Sequence, residues 1–269
     1  MGSSVRLSAI RAISAVVAEA RGVRFRQRQK GFVPHVIDRM VCGEPLRLWI
    51  ADTDGRDWYE RSSYLAGGWP EMEFLRDRMV RPGDVVLDCG AHQGVTAALL
   101  SRWVGDTGRV VAIDPVAHNL AVARQNLDLN GASNVELVLA AVSDCPGQTR
   151  IAGGTNIQIG LGLRGPRVEV VTIDHFQHLL PSLIKMDIEG AEGRALAGAE
   201  AVFRNRPRIL LELHTDALPK FGTTSTAILD GLWSRDYETL VLWDDHAVPE
   251  SLPAGTPIDR RVHIFAFPR

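Results

Sequence analysis

"LDCGAHQG", Leu87 to Gly94, stands between the apolar "GDVV" and the helical "VTAALLSRWV". A buried strand that turns into a helix through an acid and two glycines is the opening unit of a doubly wound sheet, in which ligands bind beyond the carboxyl ends of the strands. The regular pattern runs outward from it. Val85–Leu87 reads as a strand, Val95–Trp103 as a helix, Val110–Ile113 as a strand, Ala117–Leu129 as a helix and Val135–Val142 as a strand. This βαβαβ order requires a parallel sheet. Further on, strands are expected at Val168–Ile173, Leu183–Met186, Ile209–Leu213, Thr239–Trp243 and Val262–Phe267. Helices are expected at Ala191–Phe203 and Ser225–Trp233, with a short one after Asp174. The glycine-rich "IAGGTNIQIGLGLRGPR" reads as a loop or hairpin insertion.

Ahead of this core, Leu7, Ile10, Ile13 and Val17 recur at helical spacing between Arg6 and Ala20, and residues 1–30 carry seven basic side chains against Glu19. That segment reads as a basic, one-sided helix. Short strands are expected in "FVPHVIDRMV" and "LRLWIAD", with "TDG" as a hairpin turn, and "PEMEFLRDRMV" reads as a helix ending at "RPGD". The predicted organisation is an N-terminal helical and β extension over 1–62, followed by one α/β domain over 63–269.

Composition narrows the function. A net charge of −2 over 269 residues gives no general pull toward nucleic acid, and none is expected as a partner. Cys42, Cys89 and Cys145 are scattered, without a CxxC pair, so a reducing cytoplasm is expected and a cysteine zinc site is not. No apolar run approaches the roughly 18 residues of a membrane span.

The turn itself excludes two common ligands. Its spacing is Asp-x-Gly-x-x-x-Gly, so His92 stands where a dinucleotide fingerprint needs its second glycine, and no Gly-Lys-Ser/Thr ends it. Gly90 and Gly94 permit a tight backbone close to a ligand. Asp88 suits a ligand that brings positive charge, as S-adenosylmethionine does through its sulfonium and ammonium groups. Asp114, ending "VVAIDP" beside Pro115, suits two ribose hydroxyls, although capping the next helix would explain it equally. Val142 and Asp144 are expected to border an adenine.

On these residues the chain resembles the FkbM family of S-adenosylmethionine-dependent methyltransferases from about Pro82 to Phe267. The resemblance rests on "PGDVVLDCGAHQG", "VVAIDP", "QNLDLNG", "AAVSD", "VVTIDHF", "IKMDIEGAEGRALAGAE", "RPRILLELH" and "HIFAFP", of which "KMDIEGAE" is the most specific. It implies a Rossmann-like class I methyltransferase sheet, mostly parallel with the last strand antiparallel, metal-independent use of the donor, and transfer usually to oxygen. His92 departs from the family's frequent Asn. The implied donor site is Asp88, Gly90, Ala91, His92, Gly94, Asp114, Pro115, Val142, Asp144 and Asp187.

In-line methyl transfer gains mostly from alignment, but a hydroxyl acceptor must also lose its proton. Asp187, Glu212 and His214 end two adjacent strands and are the expected catalytic groups. Side-chain alternation puts Glu212 and His214 on one face, and an imidazole with an ordinary pKa makes His214 the expected base. Glu189 and Glu192, at the next helix start, serve either the site or the helix dipole. Asp187, Glu212 and His214 would also suit a metal by residue type, but no metal is expected. Asp174 is expected to cap its short helix, and Trp69, Trp233 and Trp243 are candidates for an acceptor pocket. The acceptor is expected to be a hydroxyl of a small molecule such as a sugar or natural product. Its pocket would be built from the N-terminal segment, the Gly153–Gly165 loop and the Asp244–Pro257 region.

Overall fold

The computed structural model describes residues 27–62, 68–153, 157–159, 165–243 and 248–269. The basic helix expected over Arg6–Ala20, most of the Gly153–Gly165 loop and the start of the Asp244–Pro257 region lie outside the described residues.

The central strand β3 (Val85–Cys89) is buried on both faces. Val86 belongs to one apolar core, while Leu87 and Cys89 belong to the other. The same alternation continues through β4 (Arg109–Asp114), β10 (Leu183–Met186) and β11 (Arg208–Leu213), giving the near-continuous apolar runs of a sheet covered on both sides. With β5 (Val135–Leu139), β12 (Tyr237–Trp243), β13 (Glu250–Ser251) and β14 (Val262–Pro268), they form an eight-stranded sheet of order β13-β12-β14-β11-β10-β3-β4-β5. Strands β3, β4, β5, β10 and β11 pair in parallel, while β14 lies antiparallel between β11 and β12, as expected for the final long strand. The chain leaves β3 toward β4 and β5, then returns to fill β10 and β11 on the other side. The crevice between β3 and β10 is therefore the topological switch point.

One core is closed by α2 (Val95–Val104), which is buried nearly all round, by a helix beginning as α1 (Pro70–Phe74), and by the β1 (His35–Val41)–β2 (Glu44–Ile50) hairpin. Leu46, Leu48 and Ile50 of the hairpin join Leu99 and Leu100 of α2, so this part of the extension shares the domain's core. The hairpin also meets α3 (Ala117–Leu129), where Asn126 accepts from the Trp49 amide at 2.6 Å. The other core is closed by α4 (Glu192–Ala197), α5 (Glu200–Phe203) and α6 (Ser225–Trp233).

Several local expectations are corrected. The hairpin turns at Cys42 and Gly43, both at positive φ, whereas "TDG" starts a short helix capped by Asp52. The strand expected over Val135–Val142 breaks at Ala140. Its last residues, β6 (Ala141–Val142), join β7 (Gly147–Gly153), β8 (Ile157–Ile159) and β9 (Arg167–Val171) in a second, four-stranded sheet. The helix expected over Ala191–Phe203 divides at Gly198, where an added Cβ would lie 2.5 Å from the Ser143 carbonyl. Asp174 does not cap its own short helix; its carboxylate accepts from the Ala201 and Val202 amides and caps α5.

At the amino ends of the central strands, Asp84 accepts from the Arg208 guanidinium at 2.6 Å, the Ser182 hydroxyl at 2.7 Å and the Arg81 amide at 2.6 Å. Arg208 also donates to the Met79 carbonyl, and both charged side chains are buried. Removing one member of such a pair leaves the other charge uncompensated. Asp84→Ala is expected to cost about 3–5 kcal/mol in urea-induced unfolding; an unchanged midpoint would show that the pair contributes nothing.

Candidate active site

At the carboxyl ends of the strands lies a cavity of about 510 Å³, lined from one end by Gly90, Ala91, His92, Asp114, Pro115 and Val142 and from the other by Asp187, Glu189, Glu212, Arg261 and His263. Its size is that of a small-molecule site.

The glycine turn fits because two backbones meet there. Gly90 is at φ 86°, and a Cβ on it would lie 1.8 Å from the Asp187 carbonyl oxygen. Gly94, at φ 80°, is closed in the same way by Ala123 of α3, 2.8 Å from its would-be Cβ. Both glycines are thus required by the protein's own packing. The Gly90 and Ala91 amides donate to the Ile113 carbonyl, which ties the turn to β4.

Asp88 stands behind the cavity wall. It is fully buried, accepts from the Thr96 hydroxyl at 2.7 Å and pairs with the Lys185 ammonium at 3.3 Å. Burial alone would lower the proton affinity of Lys185, but the charges of Asp88, Asp187 and Glu212 outweigh it and hold the ammonium well above its ordinary value. Lys185 therefore separates Asp88 from the cavity and was missed by sequence reasoning. Its signal was a lone charge inside the apolar strand "LIKM", two residues before Asp187.

Asp114 lines the cavity and does two things at once. Its carboxylate accepts from the His92 amide at 2.9 Å, the Val116 amide at 2.8 Å and the Asn119 side chain at 3.1 Å, anchoring the glycine turn and the entry to α3. Burial pushes it up to about 7 against the pull of these donors. A carboxylate offers about four lone-pair sites, so acceptor capacity remains. His92, at φ 47°, places its Nδ1 2.6 Å from the Tyr59 hydroxyl, and burial lowers it to about 4. His92 Nε2 is buried and has no hydrogen-bond partner among the described residues. Val142 and Pro115 line the cavity. Asp144 does not; it is exposed and accepts from the Ser143 hydroxyl.

At the other end Asp187 faces the cavity, pushed up to about 7 by burial and then by Glu212. Glu212 also faces it, bonded by Arg261 and 3.6 Å from His263; those partners outweigh its burial and hold it well below the usual carboxylate range. His214 is a correction. The pleat ends at Leu213, so alternation does not carry Glu212's orientation to it, and His214 sits behind the cavity wall, 4% exposed. Its Nδ1 lies 2.9 Å from the fully buried Glu192, and this bond, with the charges of Asp187 and Glu212, outweighs desolvation and raises it to about 9. An imidazole so placed is no neutral, cleft-facing base. Asp187, Glu212 and His214 do converge, each offering a ligand atom within 4.8 Å of the others. Trp69 and Trp243 line the cavity, whereas Trp233 packs on the core and donates to Thr239.

The family model described as the methyltransferase FkbM domain matches residues 88–239. The chain belongs to the FkbM methyltransferase family. The methyl donor of this domain is S-adenosylmethionine. Among curated proteins, arsenite methyltransferase of Halobacterium salinarum is 35% identical over 65 residues, 24% of this chain and 17% of that protein. Of solved structures, a methyltransferase FkbM from Methylobacillus flagellatus KT aligns with TM-score 0.49 and 23% identity over 74% of this chain and 48% of its own. A SAM-dependent O-methyltransferase from Thermotoga maritima aligns with TM-score 0.49 and 14% identity over 87% and 77%. The chain thus spans about a sixth of the curated relative and about half of the Methylobacillus protein.

The residues present fit this donor. The cavity is large enough, the Asp114 carboxylate keeps free acceptor capacity, and the buried His92 Nε2 has no hydrogen-bond partner among the described residues. The close approach at Gly90 makes a test: Gly90→Ala is expected to cost about 3 kcal/mol or more in urea unfolding, from the clash together with the positive φ. A variant as stable as the parent would show that the β3 and β10 ends are not in contact.

Proposed function

We propose that the chain is an S-adenosylmethionine-dependent methyltransferase acting on a hydroxyl of a small molecule, such as a sugar or a natural product. The observation that supports this best is one continuous cavity joining the glycine turn and Asp114 to a carboxylate cluster at the ends of β10 and β11. A cytoplasmic setting belongs to the same proposal and agrees with the free Cys42, Cys89 and Cys145. No helix among the described residues is long and apolar enough to cross a membrane.

In this reading His92 and Asp114 hold the donor, with Gly90, Ala91, Pro115 and Val142 shaping its berth. Asp88 acts through Lys185, which keeps the turn and the end of β10 together. The donor, when bound, supplies a methyl group already activated by sulfonium charge. Asp187, on the cavity wall, orients the acceptor hydroxyl and takes its proton. The oxygen forms the new carbon–oxygen bond as the carbon–sulfur bond breaks, and that electron pair remains on sulfur as a neutral thioether. Glu212, fixed by Arg261 and His263, positions the acceptor, and His214 holds Asp187 and Glu189 from behind. Trp69 and Trp243 offer apolar walls for the acceptor's body.

Calorimetry with S-adenosylhomocysteine and NAD tests the donor assignment: the first should bind and the second should not. Tight NAD binding without a response to the thioether would sink it. Asp187→Asn is expected to lower turnover about 100-fold or more while leaving the S-adenosylhomocysteine Kd within about twofold. Turnover equal to the parent's would take Asp187 out of the chemistry.

Donor affinity should also depend on pH through Asp114. If hydroxyl groups bind its anion, protonation below about 7 removes acceptors, so the Kd should rise about tenfold between pH 8 and pH 6. Asp114→Asn should bind more weakly and without that slope. A parent Kd flat over this range would exclude Asp114 as the ribose acceptor.

A further inference from the structure

Beneath the glycine turn the cavity is floored by a buried ammonium. Lys185 leaves β10 in register with Asp88, and its side chain carries Nζ up to the Gly90 carbonyl, to which it donates at 3.3 Å. Asp88 Oδ1 is 3.3 Å away, whereas Asp187 Oδ2, at 4.0 Å, is beyond hydrogen-bonding reach. An ammonium has three N–H donors. Counting Gly90 and Asp88 both as acceptors leaves one unspent, with no third acceptor in reach among the described residues. The side chain is 9% exposed and lines the cavity beside Gly90 and Thr96. A buried charge with an unspent donor is costly unless a ligand completes it.

The strand order decides which part of the donor arrives there. Asp114 ends β4, the turn at Gly90 follows β3, and β10 is next in the row, while Val142 follows β5 on the outer side of β4. With the base against Val142 and the ribose on Asp114, the donor's amino-acid arm runs back past the turn toward β10. Neighbouring strands are about 4.8 Å apart, so β10 lies about 10 Å from β4, a distance that the ribose and the arm together cover. The sulfonium and the arm's ammonium are cations. The arm's carboxylate is the one anion that the donor brings.

We infer, on the strength of the donor placement proposed above, that Lys185 binds the carboxylate of the S-adenosylmethionine amino-acid arm through the N–H that the protein leaves unspent. A hydrogen bond between two ions is the strong kind. The charge met by the donor at this turn is then the reverse of the one expected from Asp88. That acid, fully buried and held by Thr96 and Lys185, does not meet the donor's ammonium; it is the counter-ion that keeps Lys185 in place. The ammonium beside the carboxylate leaves the arm without net charge, so Asp187 and Glu212, the other acids that act on Lys185, do not repel it as a whole. Lys185 precedes Asp187 by two residues, so the arm lies on the cavity floor and leaves Asp187 to the acceptor.

The test is calorimetry on the full chain with three thioether nucleosides: S-adenosylhomocysteine, its decarboxylated analogue, which keeps the amine, and methylthioadenosine, which lacks the arm. The parent should bind S-adenosylhomocysteine about 10- to 100-fold more tightly than the decarboxylated analogue. Lys185→Met combined with Asp88→Asn removes the ion pair together and strands neither charge. In that double variant the preference should fall to about threefold or less, with the methylthioadenosine Kd within about threefold of the parent's. Lys185→Gln with Asp88→Asn is a second neutral pair, for use if the first does not fold. A parent that binds S-adenosylhomocysteine and the decarboxylated analogue equally overturns the inference with no variant needed, and so does a folded double variant that keeps the full preference. Methylthioadenosine reports on the nucleoside berth alone. Failure of all three ligands overturns the donor placement itself, whereas methylthioadenosine binding without any carboxylate preference overturns only the role of Lys185.

Discussion

The contact on which the site depends is that of Gly90 with the carbonyl of Asp187. The first strand's turn and the end of the neighbouring parallel strand approach so closely that no side chain fits between them. The crevice of a doubly wound sheet opens there, and its depth is set by how nearly the two strand ends meet. Lys185 secures the approach from inside, with its ammonium 3.3 Å from both the Asp88 carboxylate and the Gly90 carbonyl. A buried ion pair of this kind is a weak source of net stability, but it fixes which groups face the cavity and which stand behind it.

Charge is sorted by that geometry. At the donor end burial keeps His92 neutral, and Asp114 is heavily hydrogen-bonded with acceptor capacity to spare. At the acceptor end Asp187, Glu189, Glu192 and Glu212 surround His214. The hairpin of the N-terminal extension is not peripheral to this arrangement. Asp52 binds Gln93 and His118, and Tyr59 binds His92, so the extension braces the turn from the side opposite β10.

Much of the fold was legible because its signals are local. Central parallel strands must be apolar on both faces, so "VVLDC", "VVAID", "LIKM" and "RILLEL" identify themselves, and Ala117–Leu129 and Ser225–Trp233 announce their helices by period and flanking residues. Where reading failed, a remote contact decided. The break at Gly198 is imposed by the Ser143 carbonyl, and the departure at Ala140 by pairing with β9.

The site divides in the same way. Sequence by itself determined the acids at the strand ends, the glycine turn, the exclusion of dinucleotide and Walker-type sites, and the family resemblance, because each is a property of consecutive residues. Tertiary structure alone decided that Lys185 screens Asp88, that Tyr59, Arg261 and His263 belong to the site, and that His214 is buried and directed at three carboxylates. These side chains come from separate elements, and a charged group's role follows from which other charges lie within a few ångströms and how little water lies between them. That is a matter of distance in space, on which spacing along the chain has no purchase.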